Sequence, residues 1–238
     1  LEAAGHPVIR LAMNDAYDVG EQFYLWEVAT AAAGSVLVID AFDQPNVQES
    51  KDNTKALLKE FASNGKFNEP QTAATSEHFD VALLTGSNAI TAKDAAGALA
   101  ELFAQVKPHD YVAFLAYVAR NEAHARELEK MRLAVRDAKK VATTVGFGPR
   151  FLHSTGQEHK GGPDTGVFLQ ITADEPNDMP IPGMNVTFRT LIAAQALGDL
   201  ESLDKRNRRG ARVHLKGDIA TGLRALGEAI DDALTAKA

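Results

Sequence analysis

The feature that most constrains this chain is an alternation of short, continuous apolar runs with longer helix-like segments. Strands are predicted at 7–12, 35–39, 81–84, 111–119, 141–145, 167–172 and 213–215, and helices at 18–33, 47–63, 92–105, 122–138, 187–197 and 219–237. Apolar runs without polar alternation are typical of strands that are covered on both faces. The pattern therefore predicts an α/β fold, a three-layer αβα sandwich with a mostly parallel, doubly wound sheet of about five to seven strands.

Composition narrows the class of protein further. The 238 residues carry a net charge of −7, with 45% hydrophobic and 24% charged residues, which suits a globular chain with a sizeable core. The acidic balance argues against nucleic acid as a partner, and the sequence lacks an apolar run of about 18 residues that would span a membrane. The absence of cysteine excludes disulfides and thiolate sites, and it fits a reducing, cytoplasmic location.

Three stretches bear on domain organisation. The first eleven residues have the pattern of a helix end that passes through Gly5 into a strand, which predicts that the chain is a piece of a longer one. We expect a single α/β domain over 1–238, with an internal boundary between two sub-blocks at 64–77. The glycine-rich segment 147–166 is long for a connection in such a fold, and loops of that length are usually functional or mobile.

Gln44 and Lys51 flank the predicted turn from the strand at 35–39 into the helix at 47–63. In open α/β sheets, ligands bind at the edge where parallel strands end, so these side chains are candidates for binding. The alternative is a capped turn with a solvated lysine. The segment resembles the C-terminal signature of phosphoglucose isomerases, and the matching residues are Phe42, Asp43, Gln44, Val47 and Lys51.

A second candidate segment gathers polar and titratable side chains in the glycine-rich stretch. The candidates for catalysis or substrate binding there are Arg150, His153, Ser154, Thr155, Gln157 and Lys160. Glycines let a backbone approach an anion closely, and a histidine titrates near neutral pH. The segment 152–157 resembles the part of bacterial phosphoglucose isomerases that carries the catalytic histidine. The whole chain is similar to the C-terminal part of bifunctional transaldolase/phosphoglucose isomerases, although His153 here follows the lysine signature instead of preceding it.

Glu122 is the candidate general base, because it follows the predicted strand at 111–119 and would lie at the same sheet edge as the His153 segment. The equal alternative is a carboxylate that favours the first turn of a helix. The turn 85–88 is a weaker candidate for binding phosphate. The remaining histidines lack the spacing of metal ligands, so no metal site is predicted.

The resemblance implies a SIS-like or Rossmann-like fold and the interconversion of glucose 6-phosphate and fructose 6-phosphate through an enediol. It assigns charge stabilisation to Lys51, ring opening to His153 and carbon-to-carbon proton transfer to a carboxylate, and it requires no cofactor. The implied partners are a sugar phosphate, the remaining domains of the longer chain and a second copy in a homo-oligomer. We expect this chain alone to have little or no activity, because the family's phosphate loops lie outside it. The alternative is a non-catalytic module that binds sugar phosphate or docks the rest of its chain.

Overall fold

A computed structural model describes residues 2–43 and 45–235, and its contacts divide the chain into two compact units, Leu1–Gln44 and Pro45–Ala238. The first unit holds a short 3-10 helix, η1 (Glu2–Ala4), and one long helix, α1 (Asp18–Leu37). Helix α1 ends at Val38, whose left-handed backbone (φ 58°) lets its N–H bond the carbonyl of Gly34. Most large apolar side chains of α1 are exposed, Phe23 at 68% and Trp26 at 61% among them.

Two predicted strands in this first unit are wrong. Residues 7–12 form no strand, and residues 35–37 extend α1 instead of opening a strand at 35–39. Local preference explains the second error, because three consecutive alanines at 31–33 propagate the helix and, within the described residues 2–43, no strand offers hydrogen bonds to the β-branched residues that follow.

The second unit is built on a six-stranded sheet in the order β1-β2-β6-β5-β3-β4. Its strands are β1 (Thr72–Thr75), β2 (Phe79–Leu83), β3 (Tyr111–Tyr117), β4 (Ala142–Phe147), β5 (Gly166–Ala173) and β6 (Arg209–Leu215). The pairs among β3, β4, β5 and β6 are parallel, whereas β1 and β2 join antiparallel at one end. Strand β1 lies inside the connection 64–77 and is hydrogen-bonded into this sheet.

Helices cover both faces of the sheet. They are α2 (Pro45–Asn64), α3 (Ala95–Ala104), α4 (Glu122–Lys139), α5 (Thr155–Gly161), α6 (Phe188–Asp204) and α7 (Ile219–Thr235), with 3-10 turns η2 (Thr85–Ser87) and η3 (Arg150–His153). Helices α3, α4 and α7 pack their apolar side chains on one face. Helix α6 and η3 cover the other face, and α2 packs outside them against α6. The predicted α/β class and three-layer architecture are confirmed.

Local signals place the helix starts. Asp94, Asn121 and Thr187 each accept a hydrogen bond from a backbone N–H in the first turn of α3, α4 and α6, which is the preferred chemistry of an N-cap. Within the described ranges 2–43 and 45–235, no helix combines the length and apolar character needed to cross a membrane.

The directions of the strand connections distinguish one edge of the sheet as a place where a ligand can bind. The connection from β3 through α4 to β4 leaves on one face, and the connection from β5 through α6 to β6 leaves on the other. Neighbouring strands whose connections diverge in this way open a crevice at their carboxyl ends, where ligands of α/β sheets usually bind. The crevice between β3 and β5 is therefore the expected position of a binding site.

Candidate functional site

A row of three polar side chains crosses the carboxyl ends of three neighbouring strands. Tyr117 of β3 pairs in register with Thr172 of β5, which pairs with His214 of β6, so all three project from the same face of the sheet. All three line a cleft of about 490 Å³ in the second unit, a volume within the usual range for small-molecule sites. An adjoining cavity of about 360 Å³ shares His214, Arg212, Asp174 and Glu69 with it.

Hydrogen bonds fix the floor of this cleft. Arg212, one row behind His214, donates from Nε to Thr172 Oγ1 at 3.1 Å and pairs with Glu69 through its Nη1. Thr172 Oγ1 lies 3.0 Å from His214 Nδ1 and 3.5 Å from the carbonyl of Val213. The shorter contact favours a threonine hydroxyl that donates to Nδ1, which leaves the imidazole proton on Nε2. His214 Nε2 lies 3.8 Å from a carboxylate oxygen of Asp174, too far for a hydrogen bond.

The walls of the cleft combine aromatic rings with carboxylates. The rings of Phe61 and Phe67 pack with centroids 4.8 Å apart and form the apolar side. On the opposite side, Glu175 accepts a hydrogen bond of 2.8 Å from the backbone N–H of Ala119. At the rim, Asp178 accepts hydrogen bonds from Thr187 and neighbouring backbone N–H groups, which lower the pKa of that carboxyl.

A network of buried polar side chains leads from the cleft into the interior of the second unit. The Tyr117 hydroxyl donates to Asp199 at 3.3 Å, the other oxygen of Asp199 lies 2.7 Å from Lys160 Nζ, and Lys160 Nζ donates to Ser50 Oγ at 2.8 Å. Burial raises the pKa of Asp199 while Lys160 opposes that rise, and burial beside Asp199 raises the pKa of Tyr117 well above its ordinary value. Tyr117 is therefore a hydrogen-bond donor that stays protonated.

Next to this network of polar side chains lies a buried imidazole. His159 Nδ1 is 2.9 Å from the hydroxyl of Tyr111, and the His159 ring packs edge-on against Phe168. Burial, aided by the charge of Lys160, lowers the pKa of His159 to about 4, so this histidine is neutral at pH 7. Burial also raises the pKa of Tyr111 to about 12.

The structure places the residues of the two predicted motifs on touching elements. Lys51 is exposed on α2, and α2 packs against both η3 and α5. Arg150 on η3, Ser154 between η3 and α5, and Thr155 on α5 are exposed, and Gln157 on α5 is half-buried. Lys160 differs from these, because its side chain is 1% exposed and closed in by Asp199 and Ser50. Gln44 and the side chain of His153 lie outside the described residues.

Glu122 stands apart from this group. It is the first residue of α4, in the layer on the opposite face of the sheet from α2 and α6. Its side chain is 81% exposed and pairs with Arg126 one turn later. This geometry is that of a carboxylate at a helix start, the alternative interpretation that the sequence offered.

The turn at 85–88 is occupied by contacts within the protein. Thr85 donates from its backbone N–H to Asp204 at 2.6 Å, and a Cβ added at Gly86 would lie 2.3 Å from the carbonyl oxygen of Asn207. The glycine is thus explained by a close backbone approach. Over residues 2–43 and 45–235, no three histidine or carboxylate side chains gather in a way that could hold a metal ion.

Sequence reasoning missed the cleft residues Thr172, Arg212 and His214. The signal was present, because arginine and histidine alternate with apolar residues in Ala211-Arg212-Val213-His214-Leu215. Period-two alternation places both polar side chains on one face of a strand. The predicted strand at 213–215 begins after Arg212. The pairing of polar residues of β6 with polar residues of β5 could therefore not be recognised.

Comparisons with known proteins add little. No family model matches the sequence, and no curated protein matches it. Among solved structures, a hypothetical protein from Thermus thermophilus is similar over 59% of this chain, with a TM-score of 0.49 at 15% sequence identity. This chain spans 39% of the length of that protein.

Proposed function

We propose that this chain is the C-terminal part of a glucose-6-phosphate isomerase, which interconverts glucose 6-phosphate and fructose 6-phosphate. The observation that supports this proposal is the contact between the two segments that resemble the family. Ser50, beside Lys51, accepts a hydrogen bond of 2.8 Å from Lys160 at the end of the second segment, across 110 positions of sequence. The two segments that resemble motifs of one active site in the family are thus in contact.

The isomerisation requires a cation, a titratable group and a carboxylate close to the bound sugar. An exposed ammonium such as that of Lys51 stabilises the negative charge that develops on the enediol oxygens. A histidine, proposed to be His153, moves the proton of the ring oxygen during ring opening. Arg150, Ser154 and Thr155 offer exposed donors for a phosphate on the adjoining η3 and α5. The scheme needs neither a metal nor an organic cofactor.

A second candidate function is a non-catalytic module that binds sugar phosphate or docks further domains, including a transaldolase domain. Two observations favour it. Lys160 is enclosed by protein groups, and Glu122 pairs with Arg126 in the layer on the opposite face of the sheet. If neither side chain reaches the substrate, the remaining motif residues would hold a sugar phosphate without converting it.

A coupled assay of glucose 6-phosphate isomerisation distinguishes the two functions. We expect turnover in the full-length, cytoplasmic protein that contains this sequence, and little or none in this chain tested alone. In the active protein, Lys51→Ala should lower turnover by about a hundredfold or more, which is the usual cost of losing an electrostatic stabiliser. The matched control is Lys55→Ala, an exposed lysine one turn further along α2, which should leave turnover unchanged. Near-normal turnover of Lys51→Ala would remove Lys51 from the mechanism, and binding without turnover in the wild type would favour the module.

A further inference from the structure

The cleft over Tyr117, Thr172 and His214 has a negative charge that disfavours the binding of a phosphate. Its lining includes the guanidinium groups of Arg189 and Arg212 and four carboxylates. Arg212 pairs with Glu69, and Arg189 lies 3.7 Å from Asp178, so each guanidinium already faces a carboxylate. The carboxylates of Asp174 and Glu175 are then in excess, because the four carboxylates of the lining outnumber its two guanidinium groups by two.

The polar groups of the cleft suit hydroxyls. His214 Nε2 and the Asp174 carboxylate lie 3.8 Å apart, so neither uses the other as a hydrogen-bond partner. They present a donor and an acceptor side by side at the mouth of the cleft. A hydroxyl group both donates and accepts, so a polyol can bridge such a pair, whereas a simple amine or a simple anion satisfies only one of the two.

The apolar side of the cleft suits a ring. Phe61 and Phe67 are both half-buried, and their rings, packed against each other, line the cleft. A sugar ring has polar substituents at its edge and C–H groups on its faces, so it can place those substituents toward His214 and Asp174 while its C–H face covers the phenyl rings. Concave sites of this size usually combine an apolar lining with a few oriented polar groups.

We propose that this cleft is a binding site for an amine-bearing polyhydroxylated ring, an amino sugar without a phosphate group. The ammonium faces the surplus carboxylate of Asp174, whose side chain is 84% exposed on the loop after β5, and the hydroxyls take the neighbouring donors and acceptors. A phosphate dianion in the same place is repelled by Asp174 and Glu175. This site goes beyond the proposed isomerase function, whose candidate residues in this chain lie on α2, η3 and α5.

Titration of the full chain with D-glucosamine, D-glucose and glucose 6-phosphate, followed by protein NMR at pH 7 and low salt, tests this proposal. Glucosamine is expected to shift the amide signals of Thr172 and His214 and to bind about tenfold more tightly than glucose, as one partly screened charge contact would produce. Glucose 6-phosphate should fail to displace glucosamine, even if it binds elsewhere on the protein. That last condition separates this proposal from the isomerase, which is tested by turnover.

Two variants with the same charge change complete the test. Asp174→Asn should bring the affinity for glucosamine to within about twofold of that for glucose, while Glu228→Gln, an exposed carboxylate on α7 in the layer on the other face, should leave the preference intact. Phe67→Ser should weaken both sugars. The proposal is overturned if glucosamine does not bind at these amides, if glucose 6-phosphate displaces it, or if Asp174→Asn and Glu228→Gln behave alike.

Discussion

The ammonium of Lys160 lies 2.7 Å from a carboxylate oxygen of Asp199, and both side chains are almost completely buried, at 1% and 2% exposure. Ser50 and Tyr117 complete the hydrogen bonding of this pair. The pair ties α2, α5, α6 and β3 together at the point where the two motif segments meet. A charge in such a place is tolerated because its partner is present, so the two groups depend on each other.

Removal of one member of the pair is therefore costly. Lys160→Met leaves the Asp199 carboxylate buried without a counter-charge, and we expect a loss of about 3–5 kcal/mol in the free energy of unfolding. The double variant Lys160→Met/Asp199→Asn keeps an acceptor for Tyr117 without a charge and should recover more than half of that loss. Urea unfolding at pH 7 measures both values.

The control is an ion pair at the surface. Lys55→Met removes the partner of Asp52, which lies 3.8 Å away and is 61% exposed, and it should cost no more than about 0.5 kcal/mol. If Lys160→Met costs as little as Lys55→Met, the buried pair does not hold α2 against α5 as described.

His159 makes stability depend on pH. Burial lowers the pKa of His159 to about 4 in the folded state, whereas the unfolded chain has the ordinary value of 6.5. Between these values the unfolded state binds a proton that the native state does not. The contribution of neutral His159 to the free energy of unfolding is therefore complete above pH 6.5. It is lost as the pH falls toward 4, to an extent on the order of 3 kcal/mol.

Comparison of variants isolates this contribution from the carboxylates that titrate in the same range. His159→Phe should reduce the difference in unfolding free energy between pH 7 and pH 4.5 by about 2–3 kcal/mol. His109→Asn removes an exposed histidine from the loop before β3 and should leave that difference unchanged. An unchanged pH dependence in His159→Phe would mean that His159 is protonated inside the fold.

Gly86 tests the close approach between η2 and the segment before β6. An alanine Cβ there would lie 2.3 Å from the carbonyl oxygen of Asn207 and 2.4 Å from that of Arg208, both of which are backbone atoms. Gly86→Ala should lower the free energy of unfolding by about 2–3 kcal/mol, as overpacking does. Gly227→Ala on α7, where the nearest atoms to the new Cβ belong to Met131 of α4 and lie 3.7 Å or more away, should be neutral or slightly stabilising. Equal effects of the two substitutions would contradict the approach seen here.

The parts of the fold that sequence predicts best are those with strong local patterns. The bounds of β3, β5 and α4 differ from the predicted ones by a few residues at most, because continuous apolar runs and a capped amphipathic helix are unambiguous. Strand β1 (Thr72–Thr75) was missed, since four small and polar residues form a strand only where β2 provides partners. Helix α5 was missed because its sequence contains two glycines, and packing against α2 and α6 decides its conformation.

The candidate site was predicted only in part. The two motifs pointed to α2 and to the η3–α5 segment, and the structure brings these elements into contact. The burial of Lys160 could not be foreseen, because its counter-charge Asp199 looks like an ordinary helix residue in the sequence. The cleft depends on cross-strand register between Thr172 and His214, which no single segment encodes.

His153→Asn tests the proton-transfer role proposed for that histidine. Asparagine keeps the approximate size and a hydrogen-bond donor but cannot shuttle a proton near neutral pH. In the active full-length protein, the variant should impair turnover of the closed-ring sugar more than turnover of an open-chain substrate, because only the closed ring must be opened. Equal losses on both substrates would assign His153 to positioning of the sugar, and no loss on either would exclude it from the mechanism.

The most direct test of a shared isomerase site is a double-mutant cycle on turnover between Lys51 and His153 in the full-length protein. If the segment with Lys51 and the segment with His153 form one active site, the losses caused by Lys51→Ala and His153→Asn should not add, and the double variant should be little slower than the worse single variant. The same cycle between Lys55→Ala and His153→Asn should show no coupling. Losses that multiply independently, or single variants that turn over glucose 6-phosphate at the normal rate, would contradict a shared isomerase site.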